Sequence, residues 1–176
     1  MEIPLLQNLS DWLEQTQLHT IFADTTHLAT WLIIPISQTI HILGVGIVMI
    51  AVGMLNLQLL GIRVARQSFA ELSARWTPWI WGALAILFLT GAVQTIAEPT
   101  RELMNNTFRI KMVMLAIVVL ITFLYRVQTK KDPGYWERSN ERQSLARSLA
   151  SLSLILWLGI VAAGRLIAYV GAIEDF

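Results

Sequence analysis

The sequence predicts an all-α fold: an integral membrane four-helix bundle with an N-terminal amphipathic helix on the outer face. Of the 176 residues, 55% are hydrophobic and 14% are charged, whereas soluble domains carry about 25% charged residues. Four segments hold enough apolar residues to cross a bilayer, which takes about 20 residues as a helix. Short connections separate these segments, so consecutive spans are expected to be neighbours in the bundle.

The N-terminal part, residues 1–26, is expected to form an amphipathic periplasmic segment. Leu5, Leu9 and Trp12 recur at helical spacing, opposite Asp11 and Glu14. Such a helix either lies on the outer membrane surface or packs across the mouth of the bundle.

Residues 27–176 are expected to form a single four-transmembrane-helix domain. The spans are predicted at about 29–60, 79–97, 108–127 and 149–170. Thr77 is expected to cap the second helix, with Pro78 at its first position, because a proline there needs no N–H. The stretch KKDPGYWERSNERQ between spans three and four reads as a solvated loop.

Charge predicts the orientation of the spans. Basic residues concentrate in the first and third connections: Arg63, Arg66, Arg75, Arg126, Lys130, Lys131, Arg138, Arg142 and Arg147. The N-terminal segment has acidic residues but no lysine or arginine before the first span. Because cytoplasmic loops are enriched in lysine and arginine, both basic loops are expected in the cytoplasm and both termini in the periplasm.

The chain has no cysteine. Disulfides, thiolate metal sites, iron–sulfur clusters and covalent c-type haem are therefore excluded.

Polar side chains inside the spans are the candidate functional residues, because burying them in lipid is costly. Two stripes follow helical spacing, one on span one and one on span two: Ser37, Gln38, His41 and Gly44, then Thr90, Gly91, Gln94 and Glu98. Lys111 and Arg165 lie near the predicted outer ends of spans three and four. Polar groups thus gather in the outer half of the bundle, which argues against a continuous ion path and suits a buried cofactor.

A b-type haem fits this pattern, since it needs an axial imidazole, cations near its propionates and small residues beside the macrocycle. His41 would be the metal ligand and Gly44 would provide the gap. Arg165, with Arg109 or Lys111, could meet propionates, and Tyr169 could donate a hydrogen bond to one. Gln38 or Gln94 could orient the imidazole or face a distal ligand. The sixth position would be open, or filled by Lys111 or Met114.

A plainer interpretation stays open for each of these residues. His41 could hydrogen-bond a serine or glutamine on a neighbouring helix and so hold two spans together. Lys111 and Arg165 are close enough to the outer surface to extend their charged ends to it. Gly44 could be a helix-packing position.

Four motifs resemble a family of small bacterial four-span membrane proteins of unknown function: PISQTIHILG, NLQLLG, NNTFRIKM and GRLIAY. Members of that family often carry an aspartate and an arginine where this chain has Asn56 and Gln58. More distantly, the histidine in span one and the lysine opening span three resemble the copper-resistance D and HemJ group. That resemblance implies His41 as an axial ligand, Lys111 as a second functional group, and a bacterial inner membrane location.

The expected function is a haem b-binding membrane protein acting in electron transfer or in redox or ligand sensing. We expect a redox carrier more than a self-contained enzyme. The alternatives are a HemJ-like porphyrinogen oxidase and a non-haem structural or transport subunit. Expected partners are the lipid bilayer, a quinone or periplasmic redox protein, and further copies of the chain, with no nucleic acid.

Overall fold

A computed structural model describes residues 4–23, 26, 31–62 and 66–173, with side chains described as far as residue 167 in the last helix. Over these ranges the regular structure is helical, with no strand. The helices are α1 (Pro4–Glu14), α2 (Gln17–Ala23), α3 (Ile33–Leu59), α4 (Phe69–Ala97), α5 (Pro99–Leu103), α6 (Asn106–Lys131) and α7 (Asn140–Ile173). The all-α prediction is confirmed.

The four long helices, α3, α4, α6 and α7, are each long and apolar enough to cross a membrane. Their most apolar windows have mean hydropathies of 1.8–2.2, yet only 22–33% of each window is buried within the protein. Apolar side chains that point away from the protein are stable only in an apolar surrounding. The chain is therefore a multi-pass membrane protein whose outward surface faces lipid.

Helix α4 begins at Phe69, well before the predicted cap at Thr77, and Pro78 lies inside it. The predicted cap was wrong. Because a proline has no N–H, Pro78 leaves the carbonyl four residues before it without a partner in the helix. In the same turn, the Thr77 hydroxyl donates to the Ser73 carbonyl at 2.6 Å. The true start is a capping box, in which the Ser68 and Glu71 side chains each accept the other's backbone N–H.

Helix α7 begins at Asn140, inside the stretch that reads as a solvated loop, and Ser139 caps it by accepting the Arg142 N–H at 3.3 Å. Trp136 in that stretch is only 4% exposed. Its indole N–H donates to the Thr129 hydroxyl at 3.1 Å, and its ring packs edge-on against Tyr125. The loop is thus anchored by an aromatic residue, and the expectation that all of it is solvated was wrong.

The chain divides into two compact units. Unit 1 comprises the described parts of Met1–Val45, Ala85–Met112 and Ala162–Phe176. Unit 2 comprises the described parts of Gly46–Leu84 and Val113–Val161. Each of the four long helices contributes one segment to each unit.

Polar contacts between helices are found inside both units. In unit 1, the Ser10 and Thr100 hydroxyls meet at 3.0 Å and join α1 to α5. In unit 2, the Asn56 amide donates to the Ser153 hydroxyl at 3.0 Å and joins α3 to α7, with both residues fully buried. The Asn56 side chain therefore serves a contact between α3 and α7.

Helix α1 exposes apolar as well as polar side chains. Ser10 is buried against α5, while Leu5 and Trp12 are 74% and 61% exposed. Contact with α5 and exposed apolar side chains thus occur together, and the choice between the two expected placements of the helix stays a prediction.

Candidate functional site

The histidine predicted as the central residue of the site joins α3 to α4. His41 Nδ1 lies 2.8 Å from the Thr90 hydroxyl oxygen. The two residues are on facing helices within unit 1. Gly91 borders the imidazole, and a Cβ at that position would lie 3.6 Å from His41 Cε1, an ordinary van der Waals contact.

Two more polar side chains converge on the same residue of α4. The Ser37 hydroxyl and the Gln94 amide each donate to the Thr90 carbonyl at 3.2 Å. Ser37 and Thr90 are only 7% and 9% exposed. We call this set, Ser37, His41, Thr90 and Gln94, the Thr90 cluster.

The contacts of the cluster favour one tautomer of His41. Thr90 has one hydroxyl proton, and it donates that proton to the Ile86 carbonyl at 2.8 Å. Both contacts are satisfied when the hydroxyl oxygen accepts from His41, an arrangement in which Nδ1 is protonated and Nε2 keeps its lone pair. A metal-binding histidine commonly donates from its other ring nitrogen to a fixed acceptor, which orients the ring. His41 Nε2 accordingly has the protonation state and support of a metal ligand.

Gly44 was expected to leave room beside His41 for a flat macrocycle. This glycine is buried, and a Cβ added there would lie 3.2 Å from Leu87 Cδ2. The Leu87 side chain thus fills the gap that Gly44 was expected to provide. His41 fits an axial ligand, and Gly44 would be open to a flat group only after Leu87 changes its rotamer.

A shallow groove of about 320 Å³ lies near the cluster in unit 1. It is bordered by Ser37, Thr90 and apolar residues of α3 and α4, and His41 does not line it. The groove therefore gives no direct access to the imidazole.

Lys111 is the second predicted residue that the structure brings toward His41. Its charge acts on both His41 and Glu102, and its ammonium nitrogen lies 4.9 Å from the centre of the Phe108 ring. Burial raises the pKa of Glu102 above its ordinary value of 4.5, although the charges of Lys111 and Arg101 oppose that shift. The charge of Lys111 thus influences the predicted imidazole and also a carboxyl group on α5.

The remaining predicted residues lie elsewhere or have other partners. Arg109 donates to the Leu103 carbonyl at 3.2 Å and to the Asn106 side chain at 3.4 Å, so it holds the turn between α5 and α6. Gln38 and Arg165 are exposed and make no hydrogen bond within the described residues. The Tyr169 side chain lies outside the described part of the chain. Met114 Sδ lies 3.1 Å from the position of a Cβ on Gly159 in unit 2.

Among the described residues, no group of three or more His, Cys, Asp or Glu side chains converges as a metal site. A metal at His41 would therefore need its other ligands from a cofactor, as the iron of haem has from a porphyrin.

Thr90 was among the polar residues of span two, but no role beside His41 was predicted for it. The signal was present, because Thr90 lies on the same helical stripe as Gly91 and Gln94. The sequence does not show that α3 meets that stripe at the height of His41.

Comparison of the chain with known protein families, with curated proteins and with solved structures gave no match.

Proposed function

We propose that this protein is a haem b-binding membrane protein that acts in electron transfer or in redox or ligand sensing, with His41 Nε2 as the axial ligand. The observation that carries the proposal is the hydrogen bond from His41 Nδ1 to a hydroxyl that is already committed as a donor to Ile86. This bond orients the ring and leaves Nε2 as the coordinating atom. When bound, haem would supply one-electron redox chemistry or a site for a small gaseous ligand.

The surrounding residues support the proposal through charge. Lys111 belongs to unit 1, as His41 does, and its ammonium acts on the imidazole electrostatically. A cation near the site would favour a bound group with carboxylates, such as the propionates of haem. Arg165 is exposed and has no partner within the described residues, so its guanidinium is free to serve the same purpose.

The proposed setting is a bacterial inner membrane with both termini in the periplasm. A chain with one histidine in its spans lacks the paired imidazoles that would carry electrons across the full bilayer. The proposed partners are therefore a quinone or a periplasmic redox protein, and association of several copies of the chain would be a further route to a second haem.

The test is an absorption spectrum of the full chain, purified in mild detergent after expression with added haem. We expect a Soret band, with α and β bands on reduction, that is lost in His41→Ala and partly restored by added imidazole. The matched control is His19→Ala, because His19 is bonded to the Ile96 carbonyl outside the Thr90 cluster. Wild-type protein that folds and stays colourless, or a spectrum unaffected by His41→Ala, would overturn the proposal.

A second candidate function is favoured by the same bond. The Thr90 cluster ties α3 to α4 in unit 1, so it could serve only to join helices in a structural or transport subunit. In that case His41→Ala lowers the melting temperature while no chromophore is present in either protein, and imidazole restores nothing.

A further inference from the structure

A second, larger cavity lies in unit 2, and none of its lining residues belongs to the proposed haem site. Its volume of about 790 Å³ is within the range of small-molecule sites, roughly 300–1,000 Å³. It opens where α3 ends and where α4 and α7 begin. Its wall includes the side chains of Gln58, Arg66, Ser68, Trp136, Glu137 and Arg147.

Two guanidinium groups line this cavity. Arg66 and Arg147 are both exposed, and neither has an ion pair or hydrogen bond within the described residues. The Arg147 guanidinium lies over the turn that ends α3, because a Cβ on Gly61 would be 3.9 Å from its Nη2. Gly61 adopts φ +89°, a conformation that favours glycine. The backbone at that turn would therefore be strained with any other residue.

The cavity wall also has a buried acceptor without a donor. The Gln58 amide nitrogen donates to the Gln67 carbonyl at 3.1 Å, which fixes the direction of the amide. Its oxygen, Oε1, is buried and makes no hydrogen bond within the described residues. Because a buried acceptor left unpaired is unfavourable, a hydroxyl or amine at this position would stabilise the protein.

The charges in the wall favour an anion. Two arginines face one carboxylate, Glu137, which leaves one positive charge in excess. At the start of α4, the backbone amides of Ser68 and Glu71 are already engaged by the capping box, so the excess positive charge comes from the arginines.

We propose that this cavity binds the phosphate group of an anionic ligand, with the guanidiniums of Arg66 and Arg147 on the phosphate and a ligand hydroxyl or amine on Gln58 Oε1. Guanidinium groups are well suited to phosphate because they donate two parallel hydrogen bonds. The headgroups of phospholipids combine phosphate with a hydroxyl or amine and lie at the ends of membrane spans. A soluble phosphate ester offers the same chemistry.

The test is calorimetric titration of the full chain in mild detergent with four probes. Short-chain phosphatidylglycerol has both the phosphate and a donor, and short-chain phosphatidylmethanol has the same net charge without a donor. Glycerol 3-phosphate and inorganic phosphate represent a soluble source. We expect phosphatidylglycerol to bind more tightly than phosphatidylmethanol, and Gln58→Leu to remove most of that difference.

Charge variants show where the ligand binds. Arg66→Gln and Arg147→Gln should each weaken binding about fivefold, as expected for one basic residue beside an anionic headgroup. Glu137→Gln should strengthen binding, and a gain of affinity cannot be attributed to misfolding. The matched control is Arg75→Gln, an exposed arginine on α4 outside the cavity, which should leave binding unchanged.

Binding of glycerol 3-phosphate with the same dependence on Arg66 and Arg147 would support the site and assign it to a soluble ligand. Equal losses in Arg75→Gln and the two cavity variants would show only general attraction of anions and would overturn the proposal. Folded wild-type protein that binds none of the four probes would also overturn it.

Discussion

At the scale of single residues, the Thr90 hydroxyl is the contact on which the proposed chemistry of His41 depends. Thr90→Val keeps the shape of the side chain and removes the acceptor for His41 Nδ1. We expect a loss of about 1 kcal/mol in stability and roughly tenfold weaker haem binding. Haem titration and thermal melting in detergent measure the two effects. Thr90→Ser retains the hydroxyl and is the matched control; identical behaviour of the serine and valine variants would show that the hydrogen bond is unimportant.

Glu102 gives a pH dependence at the same scale. Burial raises the pKa of its carboxyl in the folded protein, so the ionised form is less favourable there than in the unfolded chain. The stability associated with the protonated carboxyl is fully present below the unfolded pKa, near 4.5, and is lost as the pH rises through the higher folded pKa.

Wild-type protein should therefore lose stability relative to Glu102→Gln as the pH rises above about 4.5. Melting temperatures of the two proteins, measured in detergent across this range, provide the test. Glu141→Gln is a suitable control, because Glu141 is an exposed carboxylate at the start of α7 and does not act on Glu102. A difference between wild type and Glu102→Gln that stays constant with pH would contradict the expected ionisation.

At the scale of elements, the start of α4 depends on its capping box and not on Pro78. Ser68→Ala removes the acceptor for the Glu71 N–H, which should cost about 1 kcal/mol, or about 2–4 °C in melting temperature for a protein of this size. Ser144→Ala, an exposed serine within α7, is the control. An unchanged melting temperature for Ser68→Ala would mean that α4 is held by its packing alone.

At the scale of the whole molecule, the distribution of arginine and lysine predicts the orientation of the four spans. Because the chain has no cysteine, single-cysteine variants report their own position without background labelling. Asn8→Cys is expected to react with a membrane-impermeant thiol reagent in intact cells, and Asn140→Cys only after the membrane is opened. Both positions are exposed within the protein. The reverse pattern would place the termini in the cytoplasm.

Composition and periodicity alone determined the fold class and the number of spans. A span surrounded by lipid must be a long run of apolar residues, and such a run is visible in the sequence. Because its backbone groups must all be paired within the segment, the run has to be a helix. The amphipathic pattern of α1 was equally readable, because 3.6 residues per turn is a local property. His41 stood out for the same kind of reason, as a polar side chain within an apolar run.

Only the tertiary structure decided what His41 touches and where the helices begin. Thr90 is distant from His41 in the sequence, as Leu87 is from Gly44, and the rotation of each helix about its own axis sets which residues meet. Spacing within one helix does not specify that rotation, because it results from packing between helices. The capping box at Ser68 starts α4 earlier than predicted. The burial of Trp136 anchors the third connection. A search for apolar runs detects neither contact.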